Sequence, residues 1–167
     1  KGIIVAVNKW DLIEKTANSY QAKIQELRNL IEDYKTLQEI APVRMCLGNN
    51  DFAYDYGPMV RKKVFFYADG LKWEACHYRE RLDLMKCDIA ICGHTHRPFI
   101  EKDEWTDTLV MNPGSPTFPR GSQGPTIGRI FVDGVAQKIV DAKIIQLGEK
   151  DSLSARKVMS GLFSSKS

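Results

Sequence analysis

The chain has 167 residues, of which 27% are charged and 43% hydrophobic, and its formal net charge at pH 7 is +3. This balance is typical of a soluble globular domain, and the length fits one domain with a single core. The small, scattered charge does not favour a nucleic-acid partner, and no apolar run approaches the roughly 20 residues that span a bilayer. Because the chain opens without a charged-then-apolar leader, we expect a cytoplasmic protein with no membrane partner.

The first part of the chain predicts a strand, a long helix and a second strand. Residues 3–7 form a β-branched run that suits a strand buried on both faces of a parallel sheet. Between residues 16 and 39 apolar side chains recur every three or four positions, which predicts one amphipathic helix. Pro42 ends this pattern, and residues 43–47 predict a second buried strand. A right-handed crossover between two such strands indicates an α/β fold.

The middle of the chain predicts a hairpin, a helix and a buried strand. The hairpin strands are residues 63–67 and 72–75, and an Asp-Gly pair marks the turn between them. A helix is expected over residues 78–85. Residues 88–92 predict the next buried strand, which ends at a Gly-His-Thr-His sequence.

The last part of the chain is β-like, with predicted strands at residues 108–111, 126–132 and 135–147. Asp133 and Gly134 predict a two-residue hairpin turn between the last two strands. We therefore expect a single α/β domain over residues 1–148, followed by a tail at residues 149–167 that is a frayed helix or disordered. The four cysteines lack paired C-x-x-C spacing, which favours buried free thiols: Cys46, Cys76, Cys87 and Cys92.

Polar side chains follow two of the predicted strands at the point where each strand ends. Asn49 and Asp51 follow one strand, and His94 and His96 follow another. Because functional groups gather at the carboxyl ends of strands in open α/β sheets, these side chains are candidates for one site. Two imidazoles and an amide oxygen are suitable ligands for Mn, Fe, Zn or Co. Two alternatives stay open, since Gly-Asn-Asn-Asp also suits a tight turn and the histidines could be solvated at a strand end.

Three segments in this order, "LGNND", "ICGHTHRPF" and "VMNPGSPTFPR", resemble the calcineurin-like metallophosphoesterases over residues 41–147. Within that family the resemblance is to the small phosphodiesterases related to the retromer scaffold subunit. It implies an α/β fold with a layered sheet and flanking helices. It also implies a site where two divalent metals generate the nucleophile and neutralise phosphate charge.

The resemblance assigns roles to individual residues. Asn49 and His94 would bind one metal, His96 would bind the other, and Asp51 would orient a histidine or the surroundings of the leaving group. These assignments make Asn49, Asp51 and His94 the catalytic candidates. His77 is a candidate for the family's remaining histidine ligand.

Two further positions matter to that comparison. The family's remaining histidine normally precedes glycine, whereas Tyr78 follows His77 in this chain. The Asn-Pro-Gly-Ser sequence at residues 112–115 resembles the family's closing turn, which shapes the rim of the site.

The chain departs from the family at its first strand. Where Asp-x-His is expected, the sequence is Asn8-Lys9-Trp10, and no later strand before Pro42 ends in Gly-Asp. A neutral amide, a cation and an indole cannot replace the missing carboxylates. We therefore expect a fold that lacks one strand-helix unit and an incomplete dinuclear site that holds as few as one ion, with weak or lost activity.

Residues 1–27, "KGIIVAVNKWDLIEKTANSYQAKIQEL", resemble the guanine-recognition strand and helix of ribosome-assembly GTPases with tandem G domains. The resemblance implies that Asn8 and Asp11 bind a guanine ring. The chain contains no G-x-x-x-x-G-K-[ST] loop to hold the phosphates, which argues against a working GTPase. Because two motif sets meet near residues 35–42 without a linker, a hybrid or engineered chain is expected.

Three functions remain from the sequence. The first is a metal-dependent phosphoesterase or phosphodiesterase whose partner is a phosphate ester. The second is a non-catalytic scaffold or chimera of α/β fragments, and the third is a guanine-nucleotide-binding module. A missing strand would leave a sheet edge exposed, which predicts a homo-oligomer formed through that edge.

Overall fold

The computed structural model describes residues 2–6, 35, 38–39, 42–49, 51, 56–58 and 60–148. Among these residues, none of the helices is long and apolar enough to cross a membrane. The strands in chain order are β1 (Gly2–Ala6), β2 (Lys63–Ala68), β3 (Leu71–Cys76), β4 (Ile89–Cys92), β5 (Phe99–Lys102), β6 (Leu109–Asn112), β7 (Thr126–Asp133) and β8 (Lys138–Gln146).

Five strands form a mixed sheet in the order β2-β3-β4-β6-β5. The three central strands β3, β4 and β6 are parallel, and antiparallel strands lie at both edges. The central strands β4 and β6 are largely or wholly buried, as expected for parallel strands covered on both faces. The predicted strands at residues 88–92 and 108–111 are confirmed, whereas β5 was missed because its four residues carry no clear alternation.

The remaining three strands form a second sheet in the order β1-β7-β8, in which both pairs are antiparallel. The predicted strand near the amino terminus is present as β1. Its pairing differs from the expected parallel start, because β1 lies against β7 from the far end of the chain. Alternating burial along β7 shows that one face of this sheet points to the core.

The main hydrophobic core lies between the two sheets. Trp73, Ile89 and Met111 from the five-stranded sheet pack with Ile130 and Val132 from β7, and all five side chains are almost completely buried. Burial of each such side chain contributes about 1.5–3 kcal/mol to folding. This packing joins the two sheets face to face and fixes the ends of β3, β4 and β6.

The opposite face of the larger sheet is covered by the connection between β3 and β4. Two short 3₁₀ helices, Arg79–Arg81 and Leu84–Lys86, replace the single helix predicted over residues 78–85. The backbone between them is extended at Leu82, and the amide of Asp83 donates a 2.9 Å hydrogen bond to the buried Glu74 carboxylate. That bond interrupts a continuous helical ladder. Lys63 lies 2.6 Å from the other oxygen of Glu74 and neutralises it.

One of the two predicted hairpin turns is confirmed and the other is wrong. Asp69 and Gly70 have φ of 52° and 79° and join β2 to β3 as a two-residue turn. Asp133 and Gly134 do not form such a turn, since four residues, 134–137, separate the paired strands. The Asp133 carboxylate instead accepts hydrogen bonds from the amides of Val135 and Ala136, which stabilises the longer loop.

The predicted strand at residues 43–47 is not formed as a ladder. A single parallel bridge joins Cys46 to Arg61, and the amide of Leu47 donates a 2.9 Å hydrogen bond to the Arg61 carbonyl. Of the helix expected over residues 16–39, only Lys35, Gln38 and Glu39 are described, and they are helical. The remainder of that helix and the tail at 149–167 lie outside the described residues, so the single domain over residues 1–148 stays a prediction.

Candidate metal centre

His77 and His94 are placed by neighbouring parallel strands. Cys76 at the end of β3 is the register partner of Cys92 at the end of β4, and a histidine follows each strand within two residues. The amide of Gly93 donates a 3.1 Å hydrogen bond to the His77 carbonyl, which continues the pairing beyond the strands. Both imidazoles therefore reach the same edge of the sheet, as expected for the carboxyl ends of parallel strands.

Asn49 meets these histidines from a segment that is distant in sequence. Nε2 of His77 lies 2.8 Å from Oδ1 of Asn49 and 3.0 Å from Nδ1 of His94. His77 is 6% exposed, His94 is partly exposed and Asn49 is exposed, so the cluster opens to solvent on the asparagine side. We call Asn49, His77 and His94 the donor triad.

The donor triad brings together one amide oxygen and two ring nitrogens. The Asn49 oxygen can only accept, and each ring nitrogen of a neutral imidazole either accepts or carries one proton. With the proton on Nε2, His77 would donate toward the asparagine oxygen or the His94 nitrogen. In the other tautomer, with the proton on Nδ1 of His77, the same three atoms would offer lone pairs to a cation.

The loop that carries His94 has an unusual backbone. His94 and His96 have φ of 65° and 56°, which places two non-glycine residues in the left-handed region. Such conformations cost about 1–3 kcal/mol each and persist only where the surroundings enforce them. Asn112 holds the residues on both sides of His94, since its side-chain amide donates to the Gly93 carbonyl at 2.8 Å and to Oγ1 of Thr95 at 3.0 Å.

Asn112 begins the Asn-Pro-Gly-Ser sequence and is 1% exposed. Its Oδ1 accepts a 3.0 Å hydrogen bond from the amide of Gly114, which folds this turn back on the same side chain. The turn was expected to shape the rim of the site. The structure shows that its asparagine fastens the histidine loop directly to β6.

His96 is completely buried beside the donor triad's loop. Its Nδ1 lies 2.8 Å from the carbonyl oxygen of Phe118. Because a carbonyl can only accept, Nδ1 carries a proton and donates it in this bond. Metal-binding histidines are oriented in the same manner when a backbone carbonyl accepts from the second ring nitrogen. Burial also excludes the alternative of a solvated His96 at a strand end.

Asp51 holds the turn that presents Asn49. Its Oδ2 accepts a 2.8 Å hydrogen bond from the Gly48 amide, and its Oδ1 lies 3.5 Å from the Tyr56 hydroxyl. The amide of Asp51 in turn bonds the Gly48 carbonyl at 3.4 Å. The tight-turn interpretation of this sequence is therefore correct, and the same turn delivers an asparagine oxygen to His77.

The donor triad is a candidate site for one divalent cation. Neighbouring ligands of an octahedral ion with bonds of about 2.1 Å lie about 3 Å apart, close to the two separations measured around His77. Two imidazoles and one amide oxygen suit Mn, Zn, Co or Fe. No three His, Cys, Asp or Glu side chains gather as a possible metal site within the described ranges, so this donor set depends on Asn49.

The cysteines are free thiols, as predicted, with Cys46 half-buried and the other three buried. Burial raises the pKa of Cys92 to about 12, and burial together with the Glu74 carboxylate raises the pKa of Cys87 to about 12. Both groups are therefore poor metal ligands and poor nucleophiles near neutral pH.

A sequence profile described as "Calcineurin-like phosphoesterase superfamily domain" matches residues 27–134. A probable metallophosphoesterase of Methanothermobacter thermautotrophicus is 32% identical in an alignment of 123 residues that covers 67% of this chain and 67% of the relative. A probable metallophosphoesterase of Methanocaldococcus jannaschii is 58% identical in an alignment of 97 residues that covers 51% of this chain. The present chain spans only 47% of the length of the second relative.

Among solved structures, wild-type Vps29 of Entamoeba histolytica complexed with Zn²⁺ superposes with a TM-score of 0.56 at 16% identity. The superposition covers 86% of this chain and 98% of that one. A single mutant of the same protein gives a TM-score of 0.57, also at 16% identity, and covers 88% of this chain and 100% of that one. At this identity the likeness concerns the fold alone, and the mixed α/β fold with its central sheet is the metallophosphoesterase fold.

These comparisons give no support to a GTPase-like segment or to a hybrid chain. Asn8 and Asp11, the residues proposed to bind guanine, lie outside the described residues. Manganese as the metal and a cytoplasmic location stay predictions.

Proposed function

The chain belongs to the calcineurin-like phosphoesterase superfamily, and from that premise we propose that it acts on phosphodiesters through an incomplete dinuclear metal centre. The observation that carries the proposal is the convergence of Asn49 Oδ1 and His94 Nδ1 on His77 Nε2, at 2.8 and 3.0 Å. Each donor comes from a different segment, and such a convergence of ligand atoms is what a metal site requires.

In this proposal the donor triad binds one divalent cation, and His96 is the candidate ligand of a second ion that the family resemblance implies. A divalent cation supplies a bound water of lowered pKa and charge neutralisation at the phosphate oxygens. Asp51 acts as a positioning residue, because its hydrogen bond to the Gly48 amide holds the turn that presents Asn49. Asn112 positions His94 in the same manner through the Gly93 carbonyl.

Weak activity is part of the proposal. The donor triad is neutral, and a neutral set compensates the charge of a divalent ion less well than a carboxylate does. In the sequence-based expectation, Asn8, Lys9 and Trp10 would stand where the family has Asp-x-His, and none of them supplies a carboxylate. We therefore expect one occupied position of moderate affinity and slow turnover.

The test is hydrolysis of bis-p-nitrophenyl phosphate by the full chain with Mn²⁺, compared between wild type and His94→Ala. Wild type should show slow metal-dependent turnover, and His94→Ala should lose it by at least about 100-fold. Val135→Ala is the control, since this side chain is 98% exposed and lies in the β7-β8 loop. Equal turnover in wild type and His94→Ala would contradict the proposal.

A non-catalytic scaffold is the second candidate function. The neutral composition of the donor triad favours it, because a single weakly held ion can stabilise a fold without supporting hydrolysis. This candidate predicts metal binding that His94→Ala abolishes, with no turnover in either protein.

For the scaffold we also propose self-association through β1. Within the described residues this strand pairs on one side with β7 and forms the edge of the smaller sheet. Exposed edges favour pairing with a second copy. Light scattering over a range of concentrations tests this, and a monomer at every concentration would contradict it.

A further inference from the structure

Tyr78 follows His77 directly, and its ring contacts both histidines of the donor triad. The centroid of the Tyr78 ring lies 4.8 Å from that of His77 and 4.5 Å from that of His94. The ring is edge-on to His77 and tilted against His94. A large aromatic side chain therefore forms part of the wall of the site.

Arg81 lies against the same ring. Its guanidinium carbon is 4.7 Å from the centroid of Tyr78, a distance typical of a cation–π contact. The amide of Arg81 also donates a 3.2 Å hydrogen bond to the Tyr78 carbonyl, which closes the first 3₁₀ turn. The distance from the guanidinium carbon to the His94 ring therefore cannot exceed the sum of the Arg81–Tyr78 and Tyr78–His94 distances.

The surroundings of the Arg81 guanidinium differ from those of the neighbouring cationic side chains, Arg79 and Lys86. Arg79 pairs with Glu101, and Lys86 lies 2.6 Å from Asp83. No carboxylate pairs with the exposed Arg81 side chain within the part of the chain that the structure describes. The N–H groups of Arg81 are therefore available to an anion from solution. Contact with the Tyr78 ring restricts the positions of the guanidinium.

We infer that Arg81, held on the Tyr78 ring, is an anion-binding residue for the non-bridging oxygens of a phosphate ester at the donor triad. The inference rests on the proposed function for its substrate class. A guanidinium matches the geometry of two phosphate oxygens, and it supplies fixed positive charge beside a neutral set of metal ligands. Tyr78 is the positioning residue, and its ring rather than its hydroxyl performs this role.

The test uses inorganic phosphate as the probe, titrated by calorimetry into the Mn²⁺-loaded full chain. Arg81→Gln should weaken phosphate binding about tenfold while the amount of bound Mn²⁺ stays the same. Arg79→Gln is the matched control, because it removes an equal charge from the same short helix but from a residue that is paired with Glu101. It should change phosphate affinity less than twofold.

Tyr78 supplies a second pair of variants. Tyr78→Phe keeps the ring and should bind phosphate as wild type does, whereas Tyr78→Leu should lose affinity as Arg81→Gln does. Thermal unfolding of each variant verifies that it is folded. Equal phosphate affinity in wild type and Arg81→Gln would overturn the inference, and equal affinity in Tyr78→Phe and Tyr78→Leu would overturn the role of the ring.

Failure of the proposed function is distinguishable from failure of this inference. If wild type binds no Mn²⁺, the metal centre is refuted, and the same titrations are made on the metal-free proteins. Phosphate binding that depends on Arg81 but not on Arg79 would then support the anion site by itself. Binding that is equal in both variants, or no binding in wild type, would overturn it.

Discussion

The two sides of the donor triad are built in different ways. His77 and His94 follow parallel strands β3 and β4, which are paired to each other and packed in the core. Asn49 belongs to a segment, residues 42–49, whose strand-type backbone pairing within the described structure is a single bridge between Cys46 and Arg61. We call these the strand side and the loop side.

Different interactions hold the two sides in place. On the strand side, backbone pairing and Asn112 hold the loop that carries His94, whose φ is positive. On the loop side, the position of Asn49 depends on a few hydrogen bonds around Gly48 and Asp51. A segment paired through a single backbone bridge opens locally at lower free energy than a strand within a sheet. We therefore expect substitutions on the strand side to affect stability, and those on the loop side to affect mainly metal affinity.

Among these substitutions, Asn112→Asp on the strand side should reduce the stability of the protein most. The aspartate keeps an acceptor for the Gly114 amide but places an oxygen against the Gly93 carbonyl in a buried position. We expect the free energy of unfolding to fall by about 3 kcal/mol, because a buried donor is lost and a charge is buried. Urea denaturation followed by tryptophan fluorescence measures this change.

Thr95→Ala is the control for that measurement. It removes one acceptor of the Asn112 amide at an exposed residue and should cost less than about 1 kcal/mol. If Asn112→Asp were as stable as this control, the strand side would not be fastened through Asn112.

A smaller effect is expected on the loop side from Asp51→Ala. This variant frees the Gly48 amide, so the turn that presents Asn49 loses its side-chain anchor. Metal affinity should fall about tenfold, as for the loss of a group that orients a ligand, with little change in unfolding free energy. Asp51→Asn retains an acceptor oxygen, so its metal affinity should fall less than threefold. A metal affinity equal to that of wild type in Asp51→Ala would show that Asn49 is positioned by other contacts.

The reactivity of the cysteine thiols also distinguishes the two sides, and its measurement needs no substitution. Cys46 is half-buried on the loop side, whereas Cys92 is buried at the end of β4 with its pKa raised to about 12. Because the thiolate is the reactive form, a thiol whose pKa is far above the solution pH reacts slowly. Iodoacetamide at pH 8 should label Cys46 first in the native protein, and peptide mass mapping reveals the order. Equal labelling rates would mean that the strand side opens as easily as the loop side.

Much of the strand side could be predicted from the sequence. Buried β-branched runs followed by Gly-His-Thr-His and Asn-Pro-Gly-Ser mark β4 and β6, and the Asp-Gly pair marks the turn from β2 to β3. The position of His77 could not be fixed from its neighbours alone, because a histidine followed by Tyr78 lacks the usual glycine. The parallel register of Cys76 with Cys92 is what brings His77 to His94.

Other features depended on contacts that a local pattern does not contain. The helix predicted over residues 78–85 breaks because a buried carboxylate, Glu74, bonds the amide of Asp83 from a neighbouring strand. The predicted strand at residues 43–47 has the right composition but finds one bridge partner in the described structure instead of a ladder. The link from Asn112 to Gly93 joins residues 19 positions apart and follows from sheet order alone.

We propose that Asn49, His77 and His94 together hold one divalent cation. Calorimetric titration of Mn²⁺ into wild type and His77→Ala tests it most directly, because His77 Nε2 is the atom on which the other two donors converge. We predict one site in wild type and an affinity at least about 100-fold lower in His77→Ala. Equal affinity in the two proteins, or two tight sites in wild type, would contradict the account.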